Sequence, residues 1–219
     1  MPTVWVIGDS TVENNKPPFR GWGWALPEYV REGVTVLNHG LSGTSTKSFR
    51  DQKLFEPVEA GMQEGDLLLI QFGHNDEKAD EERHTDPDTT YRANLKAYCD
   101  AAVSTGAIPV LMTPVSRRFF LDDGNMLYTH GEYPRAVRQL AADEQIAFCD
   151  LKQLSRDLYL HLGPALTEKL FVVIPKGENP DFPDGHEDKT HFNAVGAAII
   201  ARLVADDLKK DPRLAPYFR

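Results

Sequence analysis

Cysteine is nearly absent: the 219 residues hold only Cys99 and Cys149. Without a CxxC pair, neither a zinc-site spacing nor a dense disulfide framework can be written. Two buried thiols in a reducing cytoplasm are expected, with a disulfide as the alternative. Positive charge is also scarce. Lys and Arg total 24 against 33 Asp and Glu, a formal net charge of -9. No long basic stretch reverses that field, so nucleic acid and anionic membrane surfaces are not expected partners. No segment approaches the roughly 20 consecutive apolar residues of a membrane span. Residues 1–3 pass directly into an apolar run without the basic-then-apolar order of a secretory leader. Cytoplasmic localisation is the expectation, although a mature secreted chain would begin in the same way.

Several chemical signatures are missing as well. There is no GxSxG nucleophile elbow, no GxxxxGK[ST] phosphate loop, no GxGxxG fingerprint and no HExxH zinc helix. His39, His84, His130 and His186 show no metal-ligand spacing. No metal or organic cofactor is therefore expected. Neither an internal repeat nor a low-complexity linker divides the chain, which reads as a single domain over residues 1–219. Hydrophobic residues at 41% and charged residues at 26% are an ordinary soluble composition and exclude global disorder.

What is present is a series of short apolar β-rich runs separated by helical spacing. The first, Val4-Trp5-Val6-Ile7, stops at Gly8 and puts Ser10 just beyond its carboxyl end. Further strands are predicted over 34–38, 66–72, 108–113 and 146–150. Helices are predicted over 21–32, 91–105, 133–143, 151–162 and 192–209. Residues 39–49 read as a Gly/Ser loop, 167–174 as helix or strand, and 176–189 as an acidic Pro/Gly loop beside His191, suited to acting as a lid. Continuous rather than alternating apolar strands belong to a parallel sheet covered on both faces. The predicted fold class is α/β: a flavodoxin-like three-layer α/β/α sandwich with a five-stranded parallel sheet in the order 2-1-3-4-5. Ligands in such sheets bind beyond the strand ends at the switch point. That point, between strands one and three, brings Ser10 near Asn75.

A serine hydroxyl is a weak nucleophile near neutral pH and needs a base, and the base needs an orienting group. Asp188-Lys189-Thr190-His191 offers both, three residues apart at the mouth of the last helix. Asp188 can fold back onto the His191 Nδ1, leaving Nε2 to face Ser10. An oxyanion arising in acyl transfer needs fixed donors. The backbone N–H groups of Ser10 and Gly43 and the side-chain amide of Asn75 are the candidates. Each motif alone has an ordinary reading: Gly-Asp-Ser as a turn, Gly43 and Asn75 as loop residues, Asp188 or Thr190 as a helix cap.

Together, Gly8-Asp9-Ser10, Gly43, Gly73-His74-Asn75-Asp76 and Asp188-Lys189-Thr190-His191 resemble the four ordered blocks of the SGNH (GDSL-type) hydrolases, end to end. The resemblance implies the flavodoxin-like sheet and Ser-His-Asp catalysis by Ser10, His191 and Asp188. It also implies an oxyanion hole from Ser10, Gly43 and Asn75. Within that family, Gly8-Asp9-Ser10-Thr11-Val12, Gly21-Trp22-Gly23-Trp24, residues 113–118, Gly131-Glu132-Tyr133-Pro134 and residues 188–192 resemble the rhamnogalacturonan acetylesterases. An arginine expected after the second-block glycine is replaced by Thr44-Ser45-Thr46-Lys47. The implied substrate is an acetylated pectic oligosaccharide, with other acyl esters or sugars, or a non-catalytic carbohydrate-binding role, as alternatives.

Admitting galacturonate to an acidic protein requires local positive charge, and arginine suits carboxylates through its planar fork. Lys47, Arg50, Arg117 and Arg118 lie in or near the strand-end loops, and Trp22 and Trp24 are candidates for stacking on sugar. Asp9 and His74, inside the first and third blocks, complete the set of side chains expected around the substrate, His74 as a local hydrogen-bonding group. The number of subunits is left open.

Overall fold

The computed structural model describes residues 1–219. Strand β1, Thr3–Gly8, is followed by the short helix α1, Trp22–Ala25, and a 3-10 turn, Leu26–Tyr29. The helix predicted over 21–32 is thus two short pieces, with Pro27 at the start of the second. Strand β2 is Thr35–Asn38; helices α2, Thr46–Asp51, and α3, Glu56–Gly61, then lead to β3, Leu67–Gln71. These two helices were not expected. Six residues each and largely polar, they carry too little periodicity to read. A capping box starts α2, with the Ser45 and Ser48 hydroxyl oxygens each accepting the other's backbone N–H, donors that a bare helix start leaves unpaired.

A π-type turn, Pro87–Tyr91, enters α4, Arg92–Ser104; then follow β4, Ile108–Met112, α5, Tyr133–Asp143, and β5, Ala147–Cys149. Helix α6 runs Leu151–Glu168, beyond its predicted end, and breaks at Gly163, φ 71°, just before Pro164. The ambiguous stretch resolves into the end of α6 and strand β6, Phe171–Ile174. Strand β6 pairs antiparallel with β7, His186–Phe192, and the last helix, α7, is Ala194–Leu208.

The five parallel strands stand in the order β2-β1-β3-β4-β5. Along β1, Val4 and Val6 face one core, with Leu67, Leu69, Val110 and Met112, under residues of α1, α6 and α7. Trp5 and Ile7 face the other, with Leu68, Ile70 and Leu111, under α3, α4 and α5. Burying both faces explains the unbroken apolar runs, each Leu, Ile or Val contributing about 1.5–3 kcal/mol of transfer free energy. Cys149 belongs to the first core and Cys99 to the second; both are buried and free, with the sheet between them. No helix is long and apolar enough to cross a membrane.

In the β1–β3 register, Gly8 lies beside Gln71, so the loops carrying Ser10 and Asn75 leave the sheet side by side. A side chain at Gly8 has no room: a Cβ there would lie 2.4 Å from the Gln71 carbonyl oxygen. Close approach of strands, rather than an unusual φ, is what this glycine serves.

Candidate active site

Three segments meet beyond the carboxyl ends of β1 and β3. Ser10 Oγ lies 2.8 Å from His191 Nε2. The Nδ1 of the same ring lies 2.7 Å from Asp188 Oδ2. Asp188 Oδ1 accepts the backbone N–H groups of Thr190 at 2.6 Å and His191 at 2.8 Å. The carboxylate therefore holds both the ring and the backbone that carries the ring. Burial raises its pKa, but the hydrogen bonds and charge of His191 outweigh this and hold the carboxyl well below the usual carboxylate range. His191 sits on β7 rather than at the helix mouth, and Asn193 caps α7, accepting from the Gly196 N–H.

The oxyanion candidates converge on the same point. Ser10 and Gly43 donate no backbone hydrogen bond within the chain. Gly43 has φ 81°, a left-handed conformation that favours glycine. The Asn75 amide donates to the Thr44 carbonyl at 2.9 Å, which fixes its plane and leaves its second N–H unspent. Ser10, Gly43, Asn75, Asp188 and His191 all line one cleft of about 680 Å³. Phe19 and Phe182, packed edge to face with ring centroids 6.0 Å apart, line it as well. Phe19 meets His191 edge to face at 5.9 Å and Phe182 lies 4.8 Å from His186, ring centroid to centroid. Residues 181–182, in the expected lid segment, thus form cleft wall, while 186–189 are strand.

The cations expected to meet substrate are engaged elsewhere. Lys47 donates to the Glu81 carbonyl at 2.5 Å, Arg50 to Asn94 at 3.3 Å, and Arg117 pairs with Glu77 at 2.6 Å. Arg118 is buried, bonded to Glu168 and Glu187, and its backbone N–H donates to Lys189 at 2.7 Å. None of the four lines the cleft; the cation that does is Lys16. Trp22 is core, its indole N–H donating to Gln71 at 2.8 Å. Trp24 is partly exposed with Arg20 over its ring, outside the cleft. Asp9 and His74 are fully buried beneath the cleft floor and cannot touch substrate there.

The sequence reading missed two supports. Gln71 donates to Thr11 Oγ1 at 2.9 Å, and Thr11 donates to Asp9 at 2.7 Å, bracing the loop that holds Ser10. Tyr133 reaches under the third block to donate to the Asp76 carbonyl at 2.8 Å; its GEYP motif was visible, but its target was not. No group of three or more His, Cys, Asp or Glu is disposed to hold a metal ion.

This sheet order, with a hydroxyl, an imidazole and a carboxylate meeting at its switch point, is that of a flavodoxin-like ester hydrolase. The chain belongs to the GDSL-like lipase/acylhydrolase family, whose model matches residues 6–199. The Bacillus subtilis rhamnogalacturonan acetylesterase RhgT is 40% identical over 94% of this chain and 89% of its own length. A second Bacillus subtilis protein, the probable rhamnogalacturonan acetylesterase YesY, is 33% identical over 94% of this chain and 92% of its length. The crystal structure of Bacillus subtilis YxiM superposes with a TM-score of 0.82 at 27% identity, covering 95% of this chain but only 56% of that one.

Proposed function

We propose that the chain is a serine carbohydrate esterase that removes acetyl groups from pectic, rhamnogalacturonan-type oligosaccharides. The observation that carries this reading is the unbroken relay from Ser10 Oγ through both nitrogens of His191 to Asp188. His191 takes the Ser10 proton as the oxygen attacks the acetyl carbonyl. The resulting oxyanion is stabilised by the N–H groups of Ser10 and Gly43 and the Asn75 amide, each such donor being worth roughly 2.7–4 kcal/mol. The tetrahedral adduct collapses as His191 protonates the departing sugar oxygen, leaving an acetyl-serine. Water, deprotonated by the same ring, then releases acetate and restores Ser10.

The pectic assignment draws support from the two relatives named above and from the cleft itself. Its volume exceeds what an acetyl group needs, and its lining combines Phe19 and Phe182 with Lys16, beside the carboxylates of Asp181 and Asp188, which leaves Lys16 as the group to meet a uronate carboxylate. Two buried unpaired thiols are compatible with a cytoplasmic site of action on imported oligosaccharides. The test is acetate release from defined acetylated pectic and xylan-derived oligosaccharides, with Ser10→Ala as control. Release from pectic substrate that vanishes in Ser10→Ala is the expected result. Equal rates on both sugars would remove the substrate assignment, and an unimpaired Ser10→Ala would remove the mechanism.

A further inference from the structure

Behind the cleft floor lies a line of buried polar groups that the mechanism above does not use. Asp9 Oδ2 faces His74 Nδ1 at 3.2 Å. The rings of His74 and His130 meet edge to face with centroids 4.2 Å apart. His130 Nδ1 accepts from Lys152 Nζ at 3.0 Å, and the same ammonium donates to Thr129 Oγ1 at 2.7 Å and lies 5.0 Å from the Tyr128 ring centre. All four residues are 3% exposed or less. Asp9 Oδ2, both His74 nitrogens and His130 Nε2 lack well-formed hydrogen bonds. A core needing only packing would be better served by apolar side chains, since buried charges and unpaired polar atoms are costly.

The charge accounting gives the array a purpose. Asp9 is a buried anion; Lys152 is a buried cation without a carboxylate of its own. Because Lys152 donates to His130 Nδ1, that ring is the neutral tautomer protonated on Nε2, and burial together with neighbouring positive charge keeps it so. Arg117 and Glu77 are paired with each other, and the buried Asp76, beside Asn75, has its pKa pushed up to about 7 by burial, with the Asp9 charge adding to it. Asp9 adjoins Ser10 and His74 adjoins Asn75, so the line ties the nucleophile loop to an oxyanion loop.

We propose that Asp9, His74, His130 and Lys152 form a charge-balanced array that positions Ser10 and Asn75, so that the rate of ester cleavage follows the charge carried by Lys152. The inference rests on the esterase reading, and Lys152 acts as a positioning residue that never meets substrate. His130 adopts φ 71°, a backbone conformation a histidine rarely takes, which brings its ring between His74 and Lys152. When Lys152 loses its proton, its hold on His130 Nδ1 weakens, the ring packed against His74 is freed to shift, and His74 in turn shifts against Asp9.

Lys152 is faced by His130 and Tyr128 from the 126–132 segment, by Arg117 and Glu77 from the loops after β4 and β3, by Arg138 from α5 and by Arg156 on its own helix. Burial, with Arg117 and Arg156 adding to it, pulls its pKa down to about 7. The positive charge is therefore present below that pH and lost above it.

The test is the pH profile of p-nitrophenyl acetate hydrolysis. In the unsubstituted enzyme, kcat is expected to decline as pH rises through about 7. Lys152→Met is expected to lower kcat about tenfold on the acid side of that midpoint, with KM unchanged and the alkaline decline abolished. A folded Lys152→Met that keeps the parental profile, or a parent without the decline, overturns the proposal. Ring-15N NMR of the unsubstituted protein decides the matter even where that variant fails to fold. His74 and His130 signals that move together with one midpoint near pH 7, and still do so in Asp76→Asn, support the array; static or independently titrating signals, or a midpoint lost with Asp76, overturn it. Loss of all activity in Ser10→Ala, measured in parallel, keeps the esterase reading separate from this one.

Discussion

Asp188 uses one carboxylate oxygen to accept two backbone N–H groups and the other to accept the imidazole. A three-residue spacing can be read in the sequence as the reach of a carboxylate back onto a ring; the double backbone anchor that makes this reach rigid cannot. Gly43 is the companion case on the oxyanion side. Its φ of 81° lies where a Cβ costs about 1–2 kcal/mol, although no atom lies within 4 Å of the place a Cβ would occupy. The effect of Gly43→Ala is thus conformational rather than steric. Relaxation of the backbone should turn the Gly43 N–H away from the developing oxyanion. We expect kcat on p-nitrophenyl acetate to drop about 10²-fold with little change in KM, alongside a modest fall in melting temperature. Steady-state kinetics and a thermal melt on the same preparation check both.

At the scale of elements, the β6–β7 hairpin is the part that sequence patterning failed to show. His186–Phe192 reads HEDKTHF, polar at nearly every position, so no alternation announces a strand. Its pairing comes instead from Phe171 and Val172, buried beside it, and from Arg118. That guanidinium reaches Glu168 at the end of α6 and Glu187 on β7, with Phe171 5.7 Å beneath it. An arginine expected to greet a substrate carboxylate is in fact the clasp of the hairpin that carries Asp188 and His191. Both readings start from the same chemistry, a planar fork seeking carboxylates; only the fold says whose. Arg118→Ala leaves two half-exposed carboxylates, Glu187 still 3.8 Å from Lys189, so solvent screens most of the lost charge and the expected loss of stability is about 1 kcal/mol. Faster amide hydrogen exchange across 186–192 than in α4 is expected, measured by mass spectrometry. Strands β1, β3 and β4 were legible for the opposite reason: burial on both faces writes continuous apolar runs, whereas the edge strand β2 leaves Thr35 and Leu37 exposed.

For the molecule as a whole, the sheet order decides what becomes adjacent. Ser10 and His191 are 181 residues apart in sequence and meet because β1 stands at the switch point and β7 folds back over it. The four blocks were readable at that range because each is short and chemically distinctive. The charge lining the cleft was not, since the partners of Lys47, Arg117 and Arg118 come from remote segments. With those three committed, Lys16 remains as the cation facing the cleft, in a protein of net charge -9. Lys16→Gln should raise KM several-fold, by roughly 1 kcal/mol of binding, for acetylated oligosaccharides containing uronate. It should leave neutral acetylated xylo-oligosaccharides unaffected, and paired initial-rate measurements on the two substrates test this. A variant equally impaired on both would mean that Lys16 shapes the wall rather than reads charge.

The same separation governs when the protein becomes competent during its own synthesis. The ribosome makes the hydroxyl 181 residues before the ring that faces it, and that ring lies on a hairpin that needs Arg118 and the end of α6 already in place. A nascent or prematurely terminated chain carries a serine no more reactive than any other. Ester cleavage thus arrives as a property of the completed fold, and fragments cannot leak it.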